Sequence, residues 1–91
     1  MRKQVVVHGK VQGVFYRAFT EKEANRLALQ GYVENRPDGT VYIDVQGDEG
    51  PVSALVQWCK TGSPLASVTR VEVIAEDLPH SNFPDAFYVK R

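Results

Sequence analysis

Alternation of hydrophobic and polar residues predicts a set of short β-strands along this chain. The first runs from Gln4 to Val11 and places Val5, Val7 and Val11 on one face and Val6 on the other, mixed face. Further strands are predicted at 32–36, 40–46 and 67–75, with a short last strand at 87–89. Residues 36–39, Arg-Pro-Asp-Gly, form a turn that joins two of them as a hairpin, because proline presets the turn and glycine accepts a positive φ. Each strand then has one buried face, which is typical of a sheet covered by helices on one side.

Two other stretches have the helical period. From about residue 16 to 30 one stripe is formed by Thr20, Ala24, Leu27, Ala28 and Gly31, and Gly31 is expected to end the helix in the left-handed conformation. A second helix is expected to begin at Pro51 and end at Gly62. The order β-α-β-β-α-β plus a terminal strand predicts an α+β, ferredoxin-like sandwich. In it, two helices cover one face of a mostly antiparallel sheet, and residues 1–91 form a single domain.

The start of the first helix has two readings. Residues 20–23, Thr-Glu-Lys-Glu, fit a capping box that begins the helix at Glu21. A start near Phe15 or Tyr16 has no capping side chain, and it leaves Arg17 at the positive end of the helix. A phosphate bound by the loop would satisfy both the free N–H groups and Arg17. The alternative is a surface arginine beside a helix that begins at Thr20, and the residues alone leave both open.

Composition narrows the function. The 91 residues carry 11 basic and 11 acidic side chains, so a broad polyanion-binding surface is not expected. All four basic residues before Glu21, among them Lys10 and Arg17, make the first segment cationic. The chain lacks an apolar run long enough for a membrane span or a signal peptide. We therefore expect a cytoplasmic protein without a nucleic-acid or membrane partner.

Several kinds of catalytic site are not indicated. The sequence lacks the P-loop and Gly-x-Ser-x-Gly motifs, and its two histidines, His8 and His80, belong to no metal-ligand cluster. Its single cysteine, Cys59, lies on the apolar stripe of the second helix and is expected to pack in the core. Neither a metal nor another cofactor is expected.

The segment Val-His-Gly-Lys-Val-Gln-Gly-Val-Phe-Tyr-Arg at 7–17 resembles the phosphate-binding signature of the acylphosphatase family. A second block, Gly-Tyr-Val-Glu-Asn at 31–35 followed by Gly-Thr-Val at 39–41, is similar to another block of that family. The likeness covers essentially the whole chain and matches the small, common-type members. It places the helix start before Thr20. One departure is Tyr16, where the family commonly has Phe or Met; its hydroxyl is expected to alter packing beneath the loop and leave the loop intact.

The resemblance implies a metal-independent hydrolase of acyl phosphates, without a covalent intermediate. Arg17 would bind the phosphate and Asn35 would orient the attacking water. The anion cradle would consist of the backbone N–H groups of Gln12, Gly13, Val14, Phe15, Tyr16 and Arg17. The expected partners are a small acyl phosphate and inorganic phosphate, bound by a monomer. Asn35 could instead only begin the turn, and the domain could be a non-catalytic anion sensor or an RNA-binding module of the same topology.

Overall fold

Five strands and two helices make up the computed structural model, which describes all residues 1–91. Their bounds are β1 Arg2–Lys10, α1 Tyr16–Arg26, β2 Gln30–Asn35, β3 Val41–Gln46, α2 Glu49–Cys59, β4 Ser67–Ala75 and β5 Tyr88–Val89. The strands form one sheet in the order β4-β1-β3-β2-β5, in which β5 runs parallel to β2 and every other pair is antiparallel. This confirms the predicted ferredoxin-like α+β architecture.

The core lies between the helices and the two central strands. Val5 and Val7 of β1 pair with Ile43 and Val41 of β3, and all four side chains are fully buried. Helix α2 contributes Val52, Leu55 and Cys59, the stripe expected from its sequence. Burying each such aliphatic side chain stabilises the fold by roughly 1.5–3 kcal/mol. The sheet and helices therefore form a rigid base for the loops at their ends.

Helix α1 begins where the family resemblance places it and ends earlier than expected. The capping-box prediction is wrong, because the Thr20 hydroxyl donates to the Tyr16 carbonyl at 2.8 Å within the helix. The prediction that Gly31 ends the helix is also wrong, since Ala28 takes the left-handed conformation, with φ 58°. Gly31 lies in β2, where a Cβ would come within 1.9 Å of the Asp44 carbonyl oxygen. Close approach of β3 requires this glycine.

The sheet face opposite the helices is also covered at β3, which the one-sided hairpin prediction missed. Every residue of β3 is buried, including Tyr42, Asp44 and Gln46 on this face. The connector between β4 and β5 crosses it, and the Ser81 N–H donates to the Gln46 side chain at 2.8 Å. Arg2 donates to both carboxylate oxygens of Asp44, at 3.0 and 2.8 Å. The hairpin is thus held on both faces.

Two further observations concern the molecule as a whole. None of its helices has the length and apolar character needed to cross a lipid bilayer. The structure contains no group of three or more His, Cys, Asp or Glu side chains that could hold a metal ion.

Candidate active site

The loop of residues 11–15 joins β1 to α1 and is anchored from below. Val11 and Val14 are buried, and the Val14 carbonyl accepts a 2.8 Å hydrogen bond from the Ser63 hydroxyl. Gly13 has φ 73°, and Phe15, with φ 63°, is 67% exposed. A non-glycine residue with positive φ is uncommon and is enriched at functional sites. The two left-handed residues turn the backbone into the first turn of α1.

The backbone N–H groups at this turn have no protein acceptor. Helix α1 lacks a side-chain cap at Phe15 and has no acidic residue in its first turn. None of the turn, loop and cap hydrogen bonds is donated by an N–H of residues 12–18. Free N–H groups at the positive end of a helix, approached through a left-handed turn, attract and bind anions.

A cavity of about 280 Å³ opens directly over this turn. Its lining consists of Val11, Gly13, Phe15, Tyr16, Arg17, Ala18, Asn35, Val89 and Arg91. Two of these side chains are guanidinium groups and none is a carboxylate. Neither Arg17 nor Arg91 takes part in a salt bridge. The lining of the cavity therefore carries two guanidinium groups that no side-chain carboxylate pairs with.

Asn35 reaches the same cavity from the last position of β2, where it pairs with Val41 of β3. Its Oδ1 atom is buried and has no hydrogen-bond partner. An unpartnered buried polar atom costs roughly 1–3 kcal/mol, and few such atoms persist in folded proteins. Asn35 therefore lines the cavity with a side-chain amide whose oxygen has no partner in the protein.

Two residues of the expected cradle point their side chains elsewhere. Val14 packs in the core, and neither Val14 nor Gln12 lines the cavity. The Gln12 amide instead donates to the carbonyl oxygens of Arg36 and Thr40, at 2.7 and 2.8 Å. The backbone N–H groups of these two residues take part in none of the turn, loop and cap hydrogen bonds.

Tyr16 lies beneath the loop with its side chain almost fully buried. Its hydroxyl donates to the Cys59 carbonyl at 2.8 Å and so joins the start of α1 to the end of α2. Burial raises the pKa of the Tyr16 phenol, and burial also raises the pKa of the Cys59 thiol to about 12. Both groups are therefore neutral near pH 7. They support the loop and offer no charge to the cavity.

Sequence reasoning missed the contribution of the C-terminal segment. Strand β5 pairs with β2 through Val33 and Val89, and the Lys90 N–H donates to the Val33 carbonyl at 2.9 Å. This pairing brings Val89 and Arg91 to the cavity beside Asn35. No local pattern could have revealed it, because the edge that a short strand joins is a property of the whole sheet.

Comparison with known proteins gives consistent matches. The family model described as Acylphosphatase matches residues 3–88. An acylphosphatase of Nocardioides sp. is 51% identical over 76% of this chain and 70% of its own length. One from Rubrobacter xylanophilus is 45% identical over 98% of this chain and 79% of its own. The crystal structure of acylphosphatase from Bacillus subtilis superposes with a TM-score of 0.90 at 33% identity, covering 99% of this chain and 98% of that one.

Proposed function

The chain belongs to the acylphosphatase family and hydrolyses acyl phosphates, and we propose that Arg17 and Asn35 carry this reaction in the cavity above residues 11–15. The observation that carries these roles is that one cavity is lined by an unpaired guanidinium, a helix start with free N–H groups, and the amide-bearing residue Asn35. The guanidinium and the N–H groups suit binding of the phosphoryl group, and the amide suits orientation of the attacking water.

Arg17 and the backbone bind the phosphoryl group. The N–H groups of residues 12–17 point to its oxygens, and the Arg17 guanidinium forms two parallel hydrogen bonds to them. The planar guanidinium fits two phosphoryl oxygens at once, where a lysine would contact one. Charge that spreads over these oxygens in the transition state meets donors that are already oriented.

Asn35 orients the attacking water. Its side-chain amide forms a hydrogen bond with the water, through the oxygen or the nitrogen, and holds the water oxygen in line with the bond that breaks. Because a side-chain amide does not take up a proton, Asn35 acts by orienting the water and not as a general base. In this proposal the water lies on the side of the phosphorus away from the acyl group, as in-line attack requires.

The chemistry needs little more than this. The water oxygen bonds to phosphorus while the bond from phosphorus to the acyl oxygen breaks, and the electron pair leaves with the carboxylate. The proton of the water passes to the phosphate product. A carboxylic acid has a pKa of about 4, so its carboxylate leaves without protonation and no general acid is required. The reaction then proceeds by positioning and charge stabilisation, without a metal or a covalent intermediate.

The proposal extends to the domain organisation, the cellular location, the oligomeric state and the partners of the protein. Residues 1–91 act as one domain and one catalytic unit, in the cytoplasm and as a monomer. Inorganic phosphate, as the product, competes for the cradle. The charge balance of 11 against 11 favours small anions over nucleic acids or anionic membranes as partners.

Hydrolysis of acetyl and benzoyl phosphate in the presence of EDTA tests the proposed roles. Arg17→Ala should lower kcat/KM by about 10³-fold, and Asn35→Ala should lower kcat by about 10²–10³-fold. Arg17→Ala should also abolish competition by inorganic phosphate, whereas Asn35→Ala should leave it intact. Arg70→Ala and Asn82→Ala, which change exposed residues outside the cavity, are matched controls expected to have full activity. Full activity in Arg17→Ala, or loss of activity in EDTA, would overturn the proposal.

A further inference from the structure

The amide of Gln12 forms a direct link between the anion-binding loop and the strand pair that carries Asn35. Its Nε2 donates to the carbonyls of Arg36 and Thr40, at 2.7 and 2.8 Å, across the β2–β3 turn. No other hydrogen bond joins residues 11–15 to residues 35–40. We propose that the Gln12 side chain is a positioning residue that sets where Asn35 lies relative to the bound phosphoryl group. This inference rests on the proposed function of Asn35.

No hydrogen bond of its own fixes the Asn35 side chain. It takes part in none of the side-chain hydrogen bonds of the structure, and its Oδ1 is unpartnered. Its location therefore depends on the backbone at the end of β2, directly before the exposed turn of residues 36–39. On the far face, the Arg36 guanidinium lies 4.0 Å from the centroid of the Tyr42 ring. That contact holds the turn against the sheet, while Gln12 holds it against the loop.

Removing the Gln12 amide should leave the turn folded. The Arg36 carbonyl also accepts from the Gly39 N–H at 3.1 Å, and the Thr40 carbonyl also accepts from the Arg36 N–H at 2.9 Å. Neither carbonyl loses its last partner, so the large cost of an orphaned acceptor does not arise. The turn keeps its shape and loses its attachment to the loop. A displacement of about 1 Å at a catalytic group can lower turnover by up to about 10²-fold.

The matched control lies at the other end of the same hairpin. Gln46 donates from Nε2 to the Ser81 carbonyl at 2.9 Å, so it is the same residue type making the same kind of bond away from the cavity. We expect Gln12→Ala and the similarly shaped Gln12→Met to lower kcat by about 10–10²-fold. Inhibition by inorganic phosphate should stay unchanged in both variants. Gln46→Ala should keep the wild-type kcat even where its melting temperature falls.

A double-mutant cycle separates positioning from a general structural effect. If Gln12 acts through Asn35, Gln12→Ala should cause no further loss of kcat in an Asn35→Ala background. An unchanged kcat in Gln12→Ala, the same fold-loss in both backgrounds, or weakened phosphate inhibition would each overturn the inference. The proposed function is tested apart from it, because full activity in Arg17→Ala or Asn35→Ala, or loss of wild-type activity in EDTA, would contradict that function whatever Gln12→Ala does.

Discussion

The Tyr16→Phe substitution is a sharp test of how the loop is supported. It removes a single oxygen atom and leaves the ring in place beside Trp58, whose ring centroid is 5.7 Å away. The lost hydroxyl donates to the Cys59 carbonyl at 2.8 Å in a buried position. None of the loop and cap hydrogen bonds supplies that carbonyl with another donor. The variant therefore leaves one buried acceptor unsatisfied at the end of α2.

The expected loss of stability follows from that single carbonyl, which has no remaining hydrogen-bond donor. Leaving a buried acceptor without its partner costs roughly 1–3 kcal/mol, and we take about 1.5 kcal/mol for a replacement that keeps the ring packing. For a domain of this size, each kcal/mol lowers Tm by about 4–8 °C, so the expected fall is roughly 6–12 °C. Activity below the new Tm should remain close to wild type, because the hydroxyl faces Cys59 and not the cavity.

Thermal and urea unfolding, followed by circular dichroism, measure the change in stability. Tyr88→Phe is the matched control, since Tyr88 packs its ring against Tyr32 and its hydroxyl makes no side-chain hydrogen bond. It should alter Tm far less than Tyr16→Phe does. Equal stability losses in the two variants would refute the account of the Cys59 carbonyl. A large fall in kcat for Tyr16→Phe would instead show that the hydroxyl acts on the loop.

Three further predictions concern single side chains. Arg17→Lys keeps the charge but not the fork, so kcat/KM in steady-state hydrolysis should fall by about 10²-fold, and a wild-type value would contradict bidentate binding. The Cys59 thiol, whose pKa burial raises to about 12, should resist a disulfide reagent in the folded protein and react only after unfolding; rapid labelling would contradict this. Hydrogen bonds from Thr40 lower the pKa of Asp38 below 3.8, so its ionised form stabilises the fold above that pH and this contribution is lost as the pH falls. The difference in Tm between wild type and Asp38→Asn, which does not titrate, should therefore change below pH 3.8 and stay constant above it.

The local patterns predicted much of the fold because they reflect local physics. Residues Ser67–Ala75 form a strand within the bounds that their alternation indicates, and Val52, Leu55 and Cys59 face the core as their spacing requires. The predicted end of α1 was wrong because a glycine can either end a helix or allow two strands to approach closely. Gly31 has the second role, because a Cβ at this position would collide with β3. Only a contact between strands distinguishes that role from a helix stop.

The candidate site, like the fold, has one part that the sequence predicts and one part that it does not. The loop of residues 11–15 and the helix start that follows it are contiguous in the chain, so residue order alone brings Arg17 and the free N–H groups together. Residues alone could not choose between the two helix starts, because a phosphate bound at the uncapped start would replace what the capping box at Thr20 offers. The resemblance to a family supplied that choice, and the Thr20 hydrogen bond to Tyr16 agrees with it.

Residue order by itself thus determined the elements, the apolar faces and the chemistry of one cationic loop. The tertiary structure decided what stands opposite that loop: Asn35 from β2, Val89 and Arg91 beyond it, and the Gln12 amide that ties loop to turn. Spacing along a chain governs contacts within a helix or hairpin. Contacts between elements depend on strand order and on the parallel pairing of β5 with β2, which arise only when all the apolar faces share one core.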